Sequence, residues 1–120
     1  MARITHPRRG EIWLVSFDPA IGAEIQKTRP ALIIQNDIGN RLSPITVVAA
    51  ITSSHRRTYP VEVYLPRQEG GLDVDSVVTL NQIRSIDRRR LIRRLGMVSD
   101  ETVKAVDQAI LISLGINLEP

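Results

Sequence analysis

Lys27–Asn36, KTRPALIIQN, runs from a charged corner through a proline into an apolar, β-branched stretch that ends on two amides. A proline ring disfavours the helical region for the residue before it, so Arg29 is held extended at the mouth of a strand expected from about Pro30 to Asn36. A permanently charged, planar guanidinium on a rigid strand end is suited to gripping a phosphate.

On the N-terminal side, DPAIGAEIQKT reads as a loop of about ten residues around Gly22, longer than a hairpin turn. Before it, Glu11 to Phe17 is a strand stopped by Asp18-Pro19. Trp13 and Phe17 fall on one face of that strand and Ile12 with Leu14 on the other, as in a barrel wall or a subunit contact. Residues 1–8 are polar and carry Pro7, so they read as an N-terminal arm, and residues 9–120 read as a single domain.

On the C-terminal side, DIGNRLSP reads as a loop marked by Gly39-Asn40 and Ser43-Pro44, and Ile45 to Thr52 as a buried central strand. SSHRRTYP is a polar, basic loop. VEVYL alternates as a strand with Glu62 and Tyr64 on one face, and PRQEGGLDVD is turn-rich. SVVTLNQIRSI predicts a strand with Val77, Thr79, Asn81 and Ile83 on one face. DRRRLIRRLGMV predicts a short turn and then a strand near Ile92 to Val98. Ser99 is an N-cap followed by Asp100 and Glu101, where the helix dipole favours negative charge. Val103, Val106, Ile110 and Leu114 then recur at helical spacing until Gly115 stops the run. Several short strands with no helix between them argue for a small, strongly bent antiparallel barrel with a C-terminal helix.

The chain has 120 residues, a net charge of +3 and no cysteine, so one unstapled core is expected and thiolate metal sites are excluded. His6 and His55 stand apart and the acids are scattered, which gives no metal-ligand spacing. With no run long enough to span a bilayer and no signal-like apolar segment, the sequence reads as cytoplasmic, without a membrane partner. Of the 16 basic residues 14 are arginine, a bias that fits phosphate or carboxylate partners as well as a solvated surface. Polar groups gather where apolar runs stop: Glu24 and Arg29 around the second strand, Thr52 and Ser53 after the third, Asn81 and Gln82 in the fifth. In a small barrel they either meet or each serve their own turn.

RRGEIWLVSFDPAIGAEIQKTRPALIIQNDIGNRLSPITVVAAIT, followed by DSVVTLNQIRSID and a terminal helix, resembles the MazF/PemK family of toxin endoribonucleases from roughly Arg9 to Leu114. The resemblance implies an SH3-like barrel that forms a homodimer and cuts single-stranded RNA, including messenger RNA. It also implies an antitoxin whose acidic, disordered segment blocks the toxin. Cleavage in this family needs no metal or cofactor: the 2′-hydroxyl attacks its own phosphate, leaving a 2′,3′-cyclic phosphate and a 5′-hydroxyl. By the same resemblance Arg29 and Thr52 are the catalytic pair, Glu24 is the loop acid, and Arg9, Ser53, Asn81 and Gln82 line the substrate groove. His55 is an acid or base by chemistry alone, in a variable loop. Many members carry glutamine and glycines where this chain has Ile25, Gln26 and Lys27, and the extra histidine and aspartate of PemK-type members are here Ala23 and Asn81. Another implied class is a non-enzymatic toxin of the same fold that poisons a protein such as a topoisomerase. A plain nucleic-acid-binding barrel is disfavoured by low aromatic content, since such binders stack bases on aromatic rings.

Overall fold

The structure, a computed structural model, describes residues 6–19, 21–24, 27–54 and 59–117. Ile25, Gln26 and His55 lie outside these residues. The elements are β1 (Glu11–Ser16), β2 (Thr28–Ile33), α1 (Asp37–Leu42), β3 (Ile45–Ser53), β4 (Glu62–Leu65), a 3-10 turn (Glu69–Gly71), β5 (Ser76–Asp87), a second 3-10 turn (Arg88–Arg90), β6 (Leu91–Met97) and α2 (Asp100–Leu114). The six strands form one antiparallel sheet in the order β4-β5-β3-β2-β1-β6. This is the expected antiparallel β fold with a C-terminal helix.

The alternating side chains of the central strands build two cores, one on each face. Ile12, Leu32, Ala49, Ile51 and Val78 pack with Val106 and Ala109 of α2 on one side. Val15, Phe17, Ala31, Ile33, Val48, Ala50 and Ile86 pack on the other, with Trp13 against them. The expected split of β1, Trp13 and Phe17 opposite Ile12, therefore holds.

Three local expectations are corrected. DIGNRLSP is not a loop: Asn36 caps α1 by accepting from the Gly39 N–H at 2.8 Å, with Asp37 in the first turn. That short helix is held from below by the fully buried Asn40, whose Oδ1 accepts from Thr46 Oγ1 at 2.7 Å and whose Nδ2 donates to the Gln35 carbonyl at 3.0 Å. The regular alternation read into β5 is broken as well. Ala49 pairs with Ile83 while Ala50 pairs with Thr79, so Leu80, Asn81 and Gln82 stand opposite no residue of β3, a bulge larger than the usual single residue. Finally, Leu114 is exposed, and the buried residues of α2 are Val106 and Ala109.

One glycine contact positions the site. The turn at Gly70 and Gly71 presses backbone to backbone on β6 at Gly96. A Cβ on Gly96 would collide with the Gly70 carbonyl group, and one on Gly71 with the Leu95 carbonyl group. Gly71 also needs its φ of +83°.

Candidate functional site: a seam between two strands and a second cleft

Pro30 opens the seam. Phe17 N–H donates to the Lys27 carbonyl at 2.8 Å and Ile34 N–H donates to the Val47 carbonyl at 2.9 Å. Odd-numbered residues of β2 therefore direct their backbone groups to β1, and even-numbered ones to β3. Before Leu32 the next even position is Pro30, which has no N–H to give. The β2–β3 ladder runs from Ile33↔Val48 to Ala31↔Ala50 and goes no further, although β2 stays paired to β1 as far as Thr28 and β3 stays paired to β5 as far as Ser53. Two strands held on their outer sides thus part on their inner sides.

Arg29 and Thr52 lie two positions beyond that last pair, past Pro30 and Ile51. Arg29 continues the row of Ile33 and Ala31, and Thr52 continues the row of Val48 and Ala50, so both follow the same sheet face out of the core. They line a cleft of about 500 Å³ together with Leu14, Pro30, Ser53, Ser76, Asp73 and Arg93. Its far wall is Gly71 and Leu72 against Leu95, set by the glycine contact.

Ser76 donates to the Val74 carbonyl at 2.9 Å, while the other polar side chains of this cleft are open to a ligand. Arg29, Thr52, Ser53, Asp73 and Arg93 make no side-chain hydrogen bond or ion pair among the described residues. Most other arginines among the described residues are engaged: Arg9 with Ile34 and Asp107, Arg84 with Phe17, Arg88 with Asn40 and Ser43, Arg89 with Asp87, Arg90 with Ser16 and Asp18, Arg94 with Glu11. A guanidinium held apart from its own protein's carboxylates keeps its full capacity to bind an oxyanion.

Glu24, Asn81 and Gln82 come together elsewhere, in a cleft of about 750 Å³ that also takes in Phe17, Pro19, Ile21, Ala23, Ile83 and Arg84. The β5 bulge puts the two amides there. Glu24 accepts from the Ile21 N–H at 2.7 Å, which ties its carboxylate to its own loop. Arg84 donates to the Phe17 carbonyl at 2.8 Å and lies 5.9 Å from the Phe17 ring centroid, bracing the cleft floor. Arg9 lines neither cleft.

Arg93, Asp73, Ser76 and Arg84 are site residues that sequence reading missed. The signal for Arg93 was its place on β6, but DRRRLIRR reads as a uniformly basic run until its register is known. Another cleft, about 1080 Å³ beside Trp13, Leu42, Pro44, Leu91 and Ile92, contains none of the candidate residues.

Comparison with known proteins gives the same family. Endoribonuclease EndoA of Bacillus subtilis (strain 168) is 41% identical over 110 residues, covering 91% of this chain and 95% of that protein. The fold matches the crystal structure of MazF from Deinococcus radiodurans with a TM-score of 0.81 at 28% identity, over 94% of this chain and 100% of that one. A MazE-MazF structure from the same organism matches with a TM-score of 0.73 at 27% identity, over 95% and 100%. Residues 8–114 match the family described as PemK-like, MazF-like toxin of type II toxin-antitoxin system, and the chain belongs to it.

Proposed function

We propose that this chain is a toxin endoribonuclease, a single domain over residues 9–120, acting in the cytoplasm on single-stranded RNA. The observation that carries the reading is the open β2–β3 seam, where Arg29 and Thr52 follow one sheet face into one cleft, their side chains without a partner among the described residues. Among the described residues no helix is long and apolar enough to cross a membrane.

In this reading the ribose 2′-oxygen attacks the adjacent phosphorus and the bond from phosphorus to the 5′-oxygen breaks. The products are a 2′,3′-cyclic phosphate and a 5′-hydroxyl, the leaving oxygen having taken up a proton. Negative charge builds on the phosphoryl oxygens in between, so a preorganised donor counts for most. Arg29 supplies that donor. Thr52 is a poor base at neutral pH and holds the scissile phosphate by its hydroxyl, with Ser53 beside it. Glu24, Asn81 and Gln82 in the second cleft read the edges of unstacked bases. The working form is a homodimer, and a cognate antitoxin inhibits it through an acidic segment that orders on the basic cleft.

The test is to incubate purified protein with mixed-sequence single-stranded RNA and a chelator. Fragments ending in a cyclic phosphate are expected, and Arg29→Ala or Thr52→Ala should each slow cleavage by about a hundredfold or more. RNA left intact, with toxicity unchanged in Arg29→Ala, would overturn the nuclease reading in favour of a poison of the same fold.

A further inference from the structure

Adjacent arginines on β6 have opposite surroundings. Arg94 pairs in register with Trp13 and donates to Glu11 at 2.6 Å, a carboxylate that is itself buried. Arg93 pairs with Leu14, and Leu14 pairs with Pro30 on its other side. Residues paired across an antiparallel ladder project to the same face, so Pro30, Leu14 and Arg93 form one row across three strands. All three line the seam cleft. Arg93 is exposed, and its guanidinium has no partner among the described residues.

The seam cleft is therefore lined by two guanidinium groups without a partner among the described residues, which enter from different strands and, by alternation from Pro30, from opposite faces of the sheet. Two strand spacings separate the backbones of Pro30 and Arg93, roughly 10 Å. Arg29 and Arg93 are thus rooted on opposite sides of the Leu14 strand and do not share one short anchor. Asp73, also without a side-chain partner among the described residues, lines the same cleft from the turn side. Its charge disfavours a second anion near that wall and directs a polyanion along the line between the arginines. A phosphodiester strand, with its charges spaced along a chain, satisfies this layout better than a single compact anion does.

We propose that Arg93 grips the phosphate next to the one held by Arg29 and so sets the path of the RNA strand through the cleft. The proposal rests on the nuclease reading. Arg93 is a substrate-binding residue in it and takes no part in bond cleavage.

The test uses the full chain with an RNA oligonucleotide made uncleavable by 2′-deoxy substitution, and the cleavable RNA in parallel. For Arg93→Ala the Kd should rise by about tenfold. The slope of log Kd against log salt should fall by about 0.7, the value of one lost contact to a single strand. On cleavable RNA, KM should rise with kcat nearly unchanged. Arg93→Lys should keep the salt slope, because the charge remains, while losing the bidentate geometry. An unchanged Kd and salt slope in Arg93→Ala, or a fall in kcat with KM unchanged, would overturn the proposal. Failure of the nuclease reading is separately visible, because the wild-type chain would then leave the cleavable RNA intact.

Discussion

Arg9 Nη2 lies 2.6 Å from Asp107 Oδ1, and Arg9 Nε donates to the Ile34 carbonyl at 2.9 Å. One side chain thereby joins the segment before β1, the end of β2 and the middle of α2. Both partners of the ion pair are partly exposed, which limits its value, while the charged donor on a backbone carbonyl is the stronger contact. Arg9→Ala should lose about 1–2 kcal/mol, seen as a Tm lower by roughly 5 °C in a thermal melt. Below that Tm its kcat/KM should match wild type. A normal Tm with depressed kcat/KM would instead put Arg9 on the substrate.

Gly96→Ala and Gly115→Ala separate two kinds of glycine. Gly115 ends α2 at a φ of +70° with nothing near its missing Cβ, so alanine there costs about 1 kcal/mol of backbone strain. At Gly96 the obstacle is the Gly70–Gly71 backbone, which cannot yield without moving the cleft wall. Urea unfolding should put Gly96→Ala at a loss of about 2 kcal/mol or more. Its cleavage rate should fall as well, unlike that of Gly115→Ala.

Lys27 has a φ of 66°, a left-handed conformation uncommon outside glycine and asparagine, two residues before Arg29. Its N–H donates to Asp18 Oδ1 at 2.8 Å, which holds the corner in place. Glycine would relieve the local strain and add chain entropy to the unfolded state, effects of similar size and opposite sign. Lys27→Gly should therefore unfold within about 0.5 kcal/mol of wild type. Lys27→Val should lose more than about 1 kcal/mol; equal midpoints for the two variants would contradict the strain.

Asp87 carries a lowered carboxylate. The Arg89 side chain beside it, at 3.0 Å, holds its pKa below the ordinary value, and the Arg89 backbone N–H adds to the effect. A folded pKa below the unfolded one gives stability that is complete above the ordinary carboxylate range. That stability is lost as pH falls through the folded value. Asp87→Asn should leave a shallower decline of stability on the acid side than wild type, measured by denaturant midpoints from pH 7 downward.

The strands were legible because β-branched runs and turn residues mark them, and α2 because its cap, charge and spacing agree. α1 was not. Gly39-Asn40 looks like a turn in the sequence, and only the packed structure reveals Asn40 as a buried polar hub for Gln35 and Thr46. A six-residue helix has little pattern to offer, and its stability comes from contacts made elsewhere. The β5 bulge was hidden for a related reason: alternation presumes an unbroken register, and nothing in SVVTLNQIRSI announces the slip. At the site, Arg29 and Thr52 could be paired in advance by family likeness. The grouping of Glu24 with Asn81 and Gln82, the placement of Arg9 on α2, and the free guanidinium of Arg93 depend on register and partners that a linear sequence does not contain.

The slip in β5 has a consequence for how such a protein can change. Between Ser76 and Thr79 the strand braces the Thr52 side of the seam, and past Thr79 its ladder with β3 restarts at Ile83, with Leu80 buried in the core and Asn81 and Gln82 lining the second cleft. Altering Asn81 and Gln82 leaves both flanking ladders intact. In the proposed function, the sequence a toxin recognises is thus mounted on a different backbone segment from the groups that cut. New target preferences can then arise by exchanging those two amides alone, with no retuning of the cutting chemistry.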